Sequence, residues 1–390
     1  MKAVKDTVNT EKKFHILPER IICWIVLLVM LLTEAAFIMI TAALDVLPAR
    51  YFIAVLAAIA AMDFVIMILM ASRSPKWAKR IIGIILAIMM CAVMGLGTYY
   101  MYSTYQTLQK ISAQNERIAT GNKDITMDPF NVCITGIDIW GSIDQQSRSD
   151  VNMITTVNPE KREILLTSMP RDSYVVLHSF GEYDKLTHAG FWGVDETVET
   201  IQDWLDVDLD YYIRVNFSMV EDIVDAIDGV DVYNDQAFTS AIKDYDYPKG
   251  WIHLKGKHAV YFVRERKAFK EEDQKRIINQ QKVMKACLKK VMSSKTLLTS
   301  YTKLLAAVDD EMQTNMSQKE MTSLVKMQLD DMRKWDIKMQ SVQGDLTMKG
   351  TYTMGMGRDL LVSIPREKSV EKVKKGIREV MKTEGSKADE

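Results

Sequence analysis

Cysteine, histidine and proline are all scarce in this 390-residue chain, at four, five and eight residues. Four cysteines at positions 23, 91, 133 and 287 give no disulfide framework, so any domain outside the membrane must rely on its own core. The five histidines are scattered, and no Cys/His spacing resembles a zinc site. With 18 glycines and 8 prolines the chain is not collagen-like. Charge of one sign is missing too: 50 Lys and Arg against 51 Asp and Glu leave a net charge of -1, which excludes a strongly basic nucleic-acid binder. At 48% hydrophobic, the chain is not mostly disordered. Long apolar runs are scarce after residue 103; nearly all of them lie before it.

Three such runs are present, Ile21–Thr41, Tyr51–Ala71 and Ile81–Tyr102. Each is long enough as a helix to cross a hydrocarbon core of about 30 Å. Three in succession, with no small-residue cleavage site after the first, read as retained spans instead of a signal peptide. Lys2, Lys5, Lys12, Lys13 and Arg20 precede the first, and Arg73, Lys76, Lys79 and Arg80 separate the second from the third. The first loop carries only Asp45 and Arg50. Positive flanks stay inside. The N-terminus (1–20) is therefore expected in the cytoplasm, the anchor over 21–102, and everything later outside the cell. Tyr99, Tyr100, Tyr102 and Tyr105 suit an interfacial belt at the outer end. Glu34 and Asp63 fall inside spans. They are open to two readings, a proton or partner site, or neutral carboxyls bonded to a neighbouring helix.

Residues 103–129 read as a polar stalk that continues the third span as a helix until Gly121-Asn122. Strands are predicted over Asn131–Ile137, Val151–Val157 and Glu163–Met169, the last two joined as an antiparallel hairpin by Asn158-Pro159-Glu160. Val198, Ile201 and Leu205 keep helical spacing, as do Val220, Ile223, Val224 and Ile227 before Gly229. Further strands are expected at Val230–Tyr233 and Ala259–Arg264, and a helix over Asp273–Met292. Ser317 and Glu320 form a capping-box signature before Met321–Met332. The fold class is α/β, a mixed sheet sandwiched by helices and preceded by three transmembrane helices. The catalytic domain is expected over 130–293, with 294–390 completing the extracellular part and ending in a polar tail from Lys382.

In a strand, Arg264 and Arg266 would point the same way, roughly 6.5–7 Å apart. Two guanidiniums at the end of an apolar stripe need an anion. Adjacent phosphates fit, because each planar fork takes oxygens in pairs, and ordinary pairing with Asp or Glu is the alternative. Asp273, Arg276 and Gln280, spaced i, i+3, i+7, form one helix stripe beside the buried face; a capped, salt-bridged helix start would produce the same pattern. Asp138, Asp150 and Asp172 stand where strands end, next to Arg148 and Arg171. Carboxylates with no Cys or His nearby suit Mg²⁺ or Mn²⁺ shared with phosphates, or else simply cap turns.

Taken in order, Gly136-Ile137-Asp138, Arg148-Ser149-Asp150, Pro170-Arg171-Asp172, Asp184-Lys185-Leu186-Thr187-His188-Ala189, Asp210-Tyr211-Tyr212, Val224 to Val232, Tyr261 to Arg266 and Gln280-Gln281 resemble the LytR-CpsA-Psr family. The likeness runs from about residue 130 to 293, and the three-span anchor is similar to its capsule-associated branch. Thr187, Gly190 and Asn279 depart from the family's usual residues. The resemblance implies an enzyme that transfers a glycopolymer, capsular or teichoic-acid-like, from a polyprenyl pyrophosphate to a muramic-acid hydroxyl of peptidoglycan through a phosphodiester link. It implies Asp138 and Asp150 as metal ligands for Mg²⁺ or Mn²⁺. Arg148, Arg171, Arg264, Arg266 and Arg276 would bind the phosphates, with Gln280 and Asp273 completing the pocket. Asp138, Asp150, Arg171, Arg264 and Asp273 would be the catalytic set, with the general base open among the three aspartates. Partners would be the lipid-linked polymer, peptidoglycan, the bilayer and capsule export machinery, with no nucleic acid. Val260, Phe262, Val215 and Phe217 are candidates to line a lipid slot, or plain core. A non-catalytic regulator that binds polyprenyl phosphates and a polyprenyl-pyrophosphate phosphatase are the alternatives.

Overall fold

The structure is a computed structural model that describes residues 2–72, 78–112, 123–138, 143, 145–270, 272–293, 300–308, 311–355 and 358–383. The predicted stop at Gly121-Asn122, two basic residues of the second membrane-flanking loop (Arg73 and Lys76) and most of the polar tail lie outside them. The chain divides into two units, Met1–Gln106 and Thr107–Glu390.

The first unit is built on α1 (Lys2–Leu44), α2 (Ala49–Ala71) and α3 (Ala78–Ser112). Stretches of 24, 23 and 35 residues in them are long and apolar enough to span a membrane. Outward-facing Leu28, Leu32, Phe64, Ile68, Ile88 and Val93 are half or more exposed around a small buried seam of Met30, Ile66, Met70 and Ala87. Side chains apolar all round are what a lipid solvent requires. Glu34 is buried and interacts with Asp63 on α2, which is compatible with both readings of that pair. The helix of the third span runs on to Ser112, so the start of the stalk is helical as expected.

The second unit follows a βα alternation. It begins with β1 (Phe130–Ile137), β2 (Ser149–Asn158) and β3 (Glu163–Met169), then the short pair β4 (Tyr174–Val176) and β5 (Tyr183–Lys185). Next come α4 (Leu186–Ala189), α5 (Val194–Leu205), β6 (Tyr211–Asn216), α6 (Phe217–Ala226) and β7 (Val230–Asn234). The short strands β8 (Phe238–Thr239) and β9 (Asp246–Tyr247) precede β10 (Gly250–Leu254), α7 (Gly256–Arg264) and α8 (Glu272–Val291). Later come β11 (Met312–Thr314), β12 (Asp336–Ser341), β13 (Gly344–Gly350) and β14 (Asp359–Pro365), with helices Tyr301–Val308, Gln318–Asp331 and Glu367–Met381 among them.

The main sheet has the order β11-β6-β1-β2-β3-β12. It is mixed: β1 runs parallel to β6 and antiparallel to β2, β2–β3 is the expected antiparallel hairpin, and β12 is parallel to β3. Both edge strands come from after residue 293, so the C-terminal part completes the sheet that the expected catalytic domain begins. Alternate residues feed two cores. Cys133, Ile154 and Leu165 face α5 and the helix Glu367–Met381, which bring Val198, Ile201, Val373 and Ile377. Val132, Met153, Leu166 and Tyr211 face the other way, toward Met284 and Leu288 of α8 and Leu324. A sheet buried on both faces explains why its strands read as nearly continuous apolar runs. A third core joins α6, α7, β7 and β10. The capping box is present: Ser317 accepts from the Glu320 amide while the Glu320 carboxylate accepts from the Ser317 amide.

One element is corrected. Ala259–Arg264, expected as a strand, is the end of helix α7. Its β-branched and aromatic residues suggested extended backbone, but Ala259, Val260, Phe262 and Val263 lie on one helix face and are all buried. Burial of these side chains, about 1.5–3 kcal/mol for each large one, outweighs a local preference well under 1 kcal/mol per residue. Val260 and Phe262 are core and line no lipid slot.

Candidate functional site

Antiparallel pairing puts the end of β1, the start of β2 and the end of β3 at one edge of the sheet, and parallel β6 ends there as well. Asp138 follows β1, Asp150 is the second residue of β2, Arg171 comes two residues after β3, and Phe217 opens α6 behind β6. The C-terminus of α7 supplies Arg264, the next residues Glu265, Arg266 and Lys267, and the first turns of α8 supply Asp273, Arg276 and Gln280. Asp138, Asp150, Arg171, Phe217, Arg264, Arg266, Arg276 and Gln280 line one cavity of about 400 Å³.

The expected sharing of one side by Arg264 and Arg266 holds for a different reason. The helix ends at Arg264 and Glu265 is extended, so the chain turns between them. The Glu265 carboxylate is buried and accepts from Ser240 Oγ, from the Ala241 amide at 2.8 Å and from the Arg266 and Ala268 amides. These bonds hold it at the cavity wall between Arg264 and Arg266. At the other end of α7, the Gly256 amide donates to Asp225 Oδ1 at 2.8 Å. A Cβ at Gly256 would meet the Glu221 carbonyl oxygen at 2.5 Å, so only glycine allows α7 to lie this close to α6.

Arg264 bonds Asp138 at 3.0 Å and lies over the Phe217 ring. Arg171 reaches Asp150 at 2.6 Å, and Arg276 reaches Asp273 at 2.6 Å. Asp273 also faces Arg266 at 3.6 Å and Arg171 at 3.9 Å. Around this carboxylate, cations are in excess. Burial, with repulsion from Arg171 and Arg266, lowers the Arg276 pKa despite Asp273. Arg171 moves the opposite way: burial would lower it, but Asp150, Asp172 and Asp273 together raise it. Asp172 stays below its ordinary value because Lys185, Arg171 and Arg276 outweigh its burial. Among the described residues, the buried Nε atoms of Arg171 and Arg276 have no hydrogen-bond acceptor. Three arginines converging on Asp273, with donors to spare, have the chemistry to take a multiply charged anion.

A narrow apolar slot of about 120 Å³ opens off this cavity and shares Phe217, Val263 and Gln280 with it. It lies between the sheet and helices α6 and α8, lined by Ile137, Val215, Ile223, Met284 and Cys287 among others. Val215 and Phe217 line it as expected. Burial pushes the Cys287 thiol up to about 12, so it acts there as a small apolar group.

Arg148 is placed differently from the other expected phosphate ligands: it is exposed, sits over the Phe191 ring and does not line the cavity. The Asp184 motif acts from behind. Its Leu186 and Thr187 amides bond the carbonyls of Ser173 and Arg171, and Asp184 accepts from His188 and the Thr353 amide. Of the positions that depart from the family, Thr187 donates to Asp150, buried Asn279 donates to the Phe262 carbonyl, and at Gly190 a Cβ would meet the Ser147 carbonyl at 2.5 Å. Sequence reasoning missed Lys267, the ring beneath Arg264 and the role of Glu265. A carboxylate between two arginines that must diverge from it was the available signal.

For a divalent ion, no group of three or more His, Cys, Asp or Glu side chains gathers among the described residues. Asp138 and Asp150 are two oxygen donors lining one cavity, each paired with an arginine, and any ion they held would need further oxygen ligands to complete its shell.

The chain is similar to curated polyisoprenyl-teichoic acid–peptidoglycan teichoic acid transferases called TagU. That of Bacillus cereus (strain AH820) is 35% identical over 257 residues, covering 64% of this chain and 83% of the relative. That of Enterococcus faecalis is 30% identical over 297 residues, covering 74% and 91%. Among solved structures, TagT bound to LI-WTA superposes with a TM-score of 0.54 at 27% identity, covering 69% of this chain and 98% of that one. TagV of B. subtilis gives 0.55 at 25% identity, covering 65% and 97%. The model of the LytR_cpsA_psr family matches residues 98–379, well over half of the chain, and with the fold in agreement this chain belongs to that family.

Proposed function

We propose that the chain transfers a phosphate-linked glycopolymer from a polyprenyl diphosphate to a hydroxyl of peptidoglycan, forming a phosphodiester, on the outer side of the membrane that anchors it. The observation that carries this reading is the union of an arginine cavity with an apolar slot: a diphosphate fits the first and the start of an isoprenoid chain the second. Arg171, Arg266 and Arg276 hold the diphosphate oxygens, and Arg264, braced on Phe217, takes the phosphate nearer Asp138. The acceptor oxygen attacks the phosphorus that carries the glycan. The bond to that oxygen forms, the phosphoanhydride bond breaks, and polyprenyl phosphate leaves with the electron pair. The hydroxyl proton passes to a cavity carboxylate. Asp138, 40% exposed against 10% for Asp150 and 22% for Asp273, is the most open to an incoming acceptor. Charge on the leaving phosphate grows as the bond breaks, and fixed guanidiniums stabilise it without reorganising. Mg²⁺ or Mn²⁺ held by Asp138 and Asp150 would supply further neutralisation of phosphate charge. The positive flanks of the spans support the outward orientation, and tethering raises the local concentration of a lipid donor.

The test uses the full-length chain in nanodiscs with a polyprenyl-diphosphate glycan and peptidoglycan fragments. Arg264→Ala and Arg266→Ala should each lower coupled product by about 10²–10³-fold, with melting temperatures close to wild type. EDTA should lower the wild-type rate and Mg²⁺ restore it. Full transfer by both variants would overturn the proposal. Lipid phosphate release that ignores the acceptor would make the protein a phosphatase instead, and lipid binding with no turnover would make it a regulator.

A further inference from the structure

Away from the arginine cavity, two more cavities lie side by side along the outer edge of β12 and share the half-exposed Met339. The larger, about 710 Å³, runs between β12 and the helix Glu367–Met381. The smaller, about 210 Å³, lies between the β7–β10 pair and the flank of α8 opposite Arg276 and Gln280. Six lysines line them; Lys282 and Lys338 are paired with Asp235 and Glu163, which leaves Lys285 and Lys289 from α8 and Lys368 and Lys372 from the other helix. Each pair is spaced i, i+4, one helical turn or about 6 Å apart. None of the four has an ion pair among the described residues. The acids that share the lining are already engaged: Glu163 with Lys338 at 2.5 Å, Asp231 with His253 and Glu379 with Lys375. At the far end stands Trp251, 74% exposed and packed edge-on by Tyr233. An indole this exposed gains nothing from the fold, whereas its flat face suits a sugar or polyol ring.

We propose that this groove binds the body of a polyanionic glycopolymer, one with phosphates in its repeat, laying phosphates on the two lysine pairs and a sugar or polyol against Trp251. A neutral polysaccharide would leave four cations without counter-charge. The inference rests on the transfer reading only for what the bound polymer is used for, and narrows the donor to the phosphate-bearing, teichoic-acid-like class. The groove engages the polymer through many weak, screened contacts, while the arginine cavity engages one diphosphate.

The experiment titrates the full-length chain, in nanodiscs of zwitterionic lipid, with labelled poly(glycerol phosphate) and, separately, with geranyl diphosphate. Wild-type protein should bind the polymer and lose about tenfold in affinity between about 50 and 300 mM NaCl. Lys285→Glu/Lys289→Glu/Lys372→Glu should lose at least about tenfold for the polymer and nothing for geranyl diphosphate. Trp251→Ala should weaken the polymer severalfold without changing its salt dependence. The milder Lys→Gln set at the same three positions repeats the test should charge reversal disturb folding. Arg266→Ala should lose geranyl diphosphate and keep the polymer; failure of that control condemns the transfer reading and leaves the groove intact. Unchanged polymer affinity in both lysine sets, or equal binding of neutral dextran, overturns the groove. So does a lysine set that loses only adhesion to anionic vesicles, which would assign the patch to a membrane surface.

Discussion

At the scale of single residues, the site depends on side chains that never touch the anion. Glu265 is the clearest. Its carboxylate gathers Ser240, Ala241, Arg266 and Ala268 around one buried point, which makes the chain leave α7 in a fixed direction. Removing it strands several buried donors at once, each costing about 1–3 kcal/mol. Glu265→Ala is expected to destabilise the protein by about 2–4 kcal/mol, seen as a lower urea midpoint. Glu265→Gln keeps part of the bracket and should fall between the two. If transfer by Glu265→Gln matched wild type at full occupancy of folded protein, the claim that Glu265 orients Arg264 and Arg266 would fail.

The same residues show how far a linear pattern can be read. Arg264 and Arg266 were legible as a pair sharing one side, and Asp273, Arg276 and Gln280 as a stripe, because spacing alone sets those relations. The company each arginine keeps was not legible. Arg148 reads like Arg171 in the chain, yet one stacks on Phe191 outside the cavity and the other is tied to Asp150 within it.

At the scale of elements, α7 is a lever between two caps. Asp225 and the close approach at Gly256 set its start, the third core clamps its middle, and Glu265 sets its end. Gly256→Ala inserts a methyl group at 2.5 Å from the Glu221 carbonyl oxygen. Such overpacking costs about 1–3 kcal/mol, and pushing α7 away from α6 also shifts Arg264. A drop in melting temperature together with a lower kcat is the expected outcome; an unchanged kcat would show that the lever does not set the arginine. The strand reading of this segment failed because Val260 to Val263 carry β-forming residues on what is a helix face, and only packing against α6 and β10 reveals that face. Hairpin β2–β3 was read correctly because a four-residue connection between apolar runs leaves no other pairing.

At the scale of the whole molecule, the three cores outside the membrane helices are each drawn from within Thr107–Glu390, and the C-terminal third is woven into them. A chain truncated after Ser293 lacks β11, β12 and the helix that covers the first core. It is expected to aggregate, with a bare sheet edge and an uncovered apolar face. Residues 107–390 should instead unfold cooperatively in water, and circular dichroism on both fragments decides the matter. A soluble, cooperatively melting 107–293 fragment would refute this account.

The order of residues alone determined the three membrane-length helices, the alternation that makes an α/β layer fold, and the inventory of arginines and aspartates, because hydropathy, period and charge are local properties of the chain. Which strand ends share an edge, which cations crowd Asp273, that an apolar slot meets the arginine cavity, and that lysines from two helices line one groove beside β12 were decided by tertiary structure. Those relations join residues as far apart as Asp138 and Arg264, and nothing but packing of the intervening elements brings them within bonding distance.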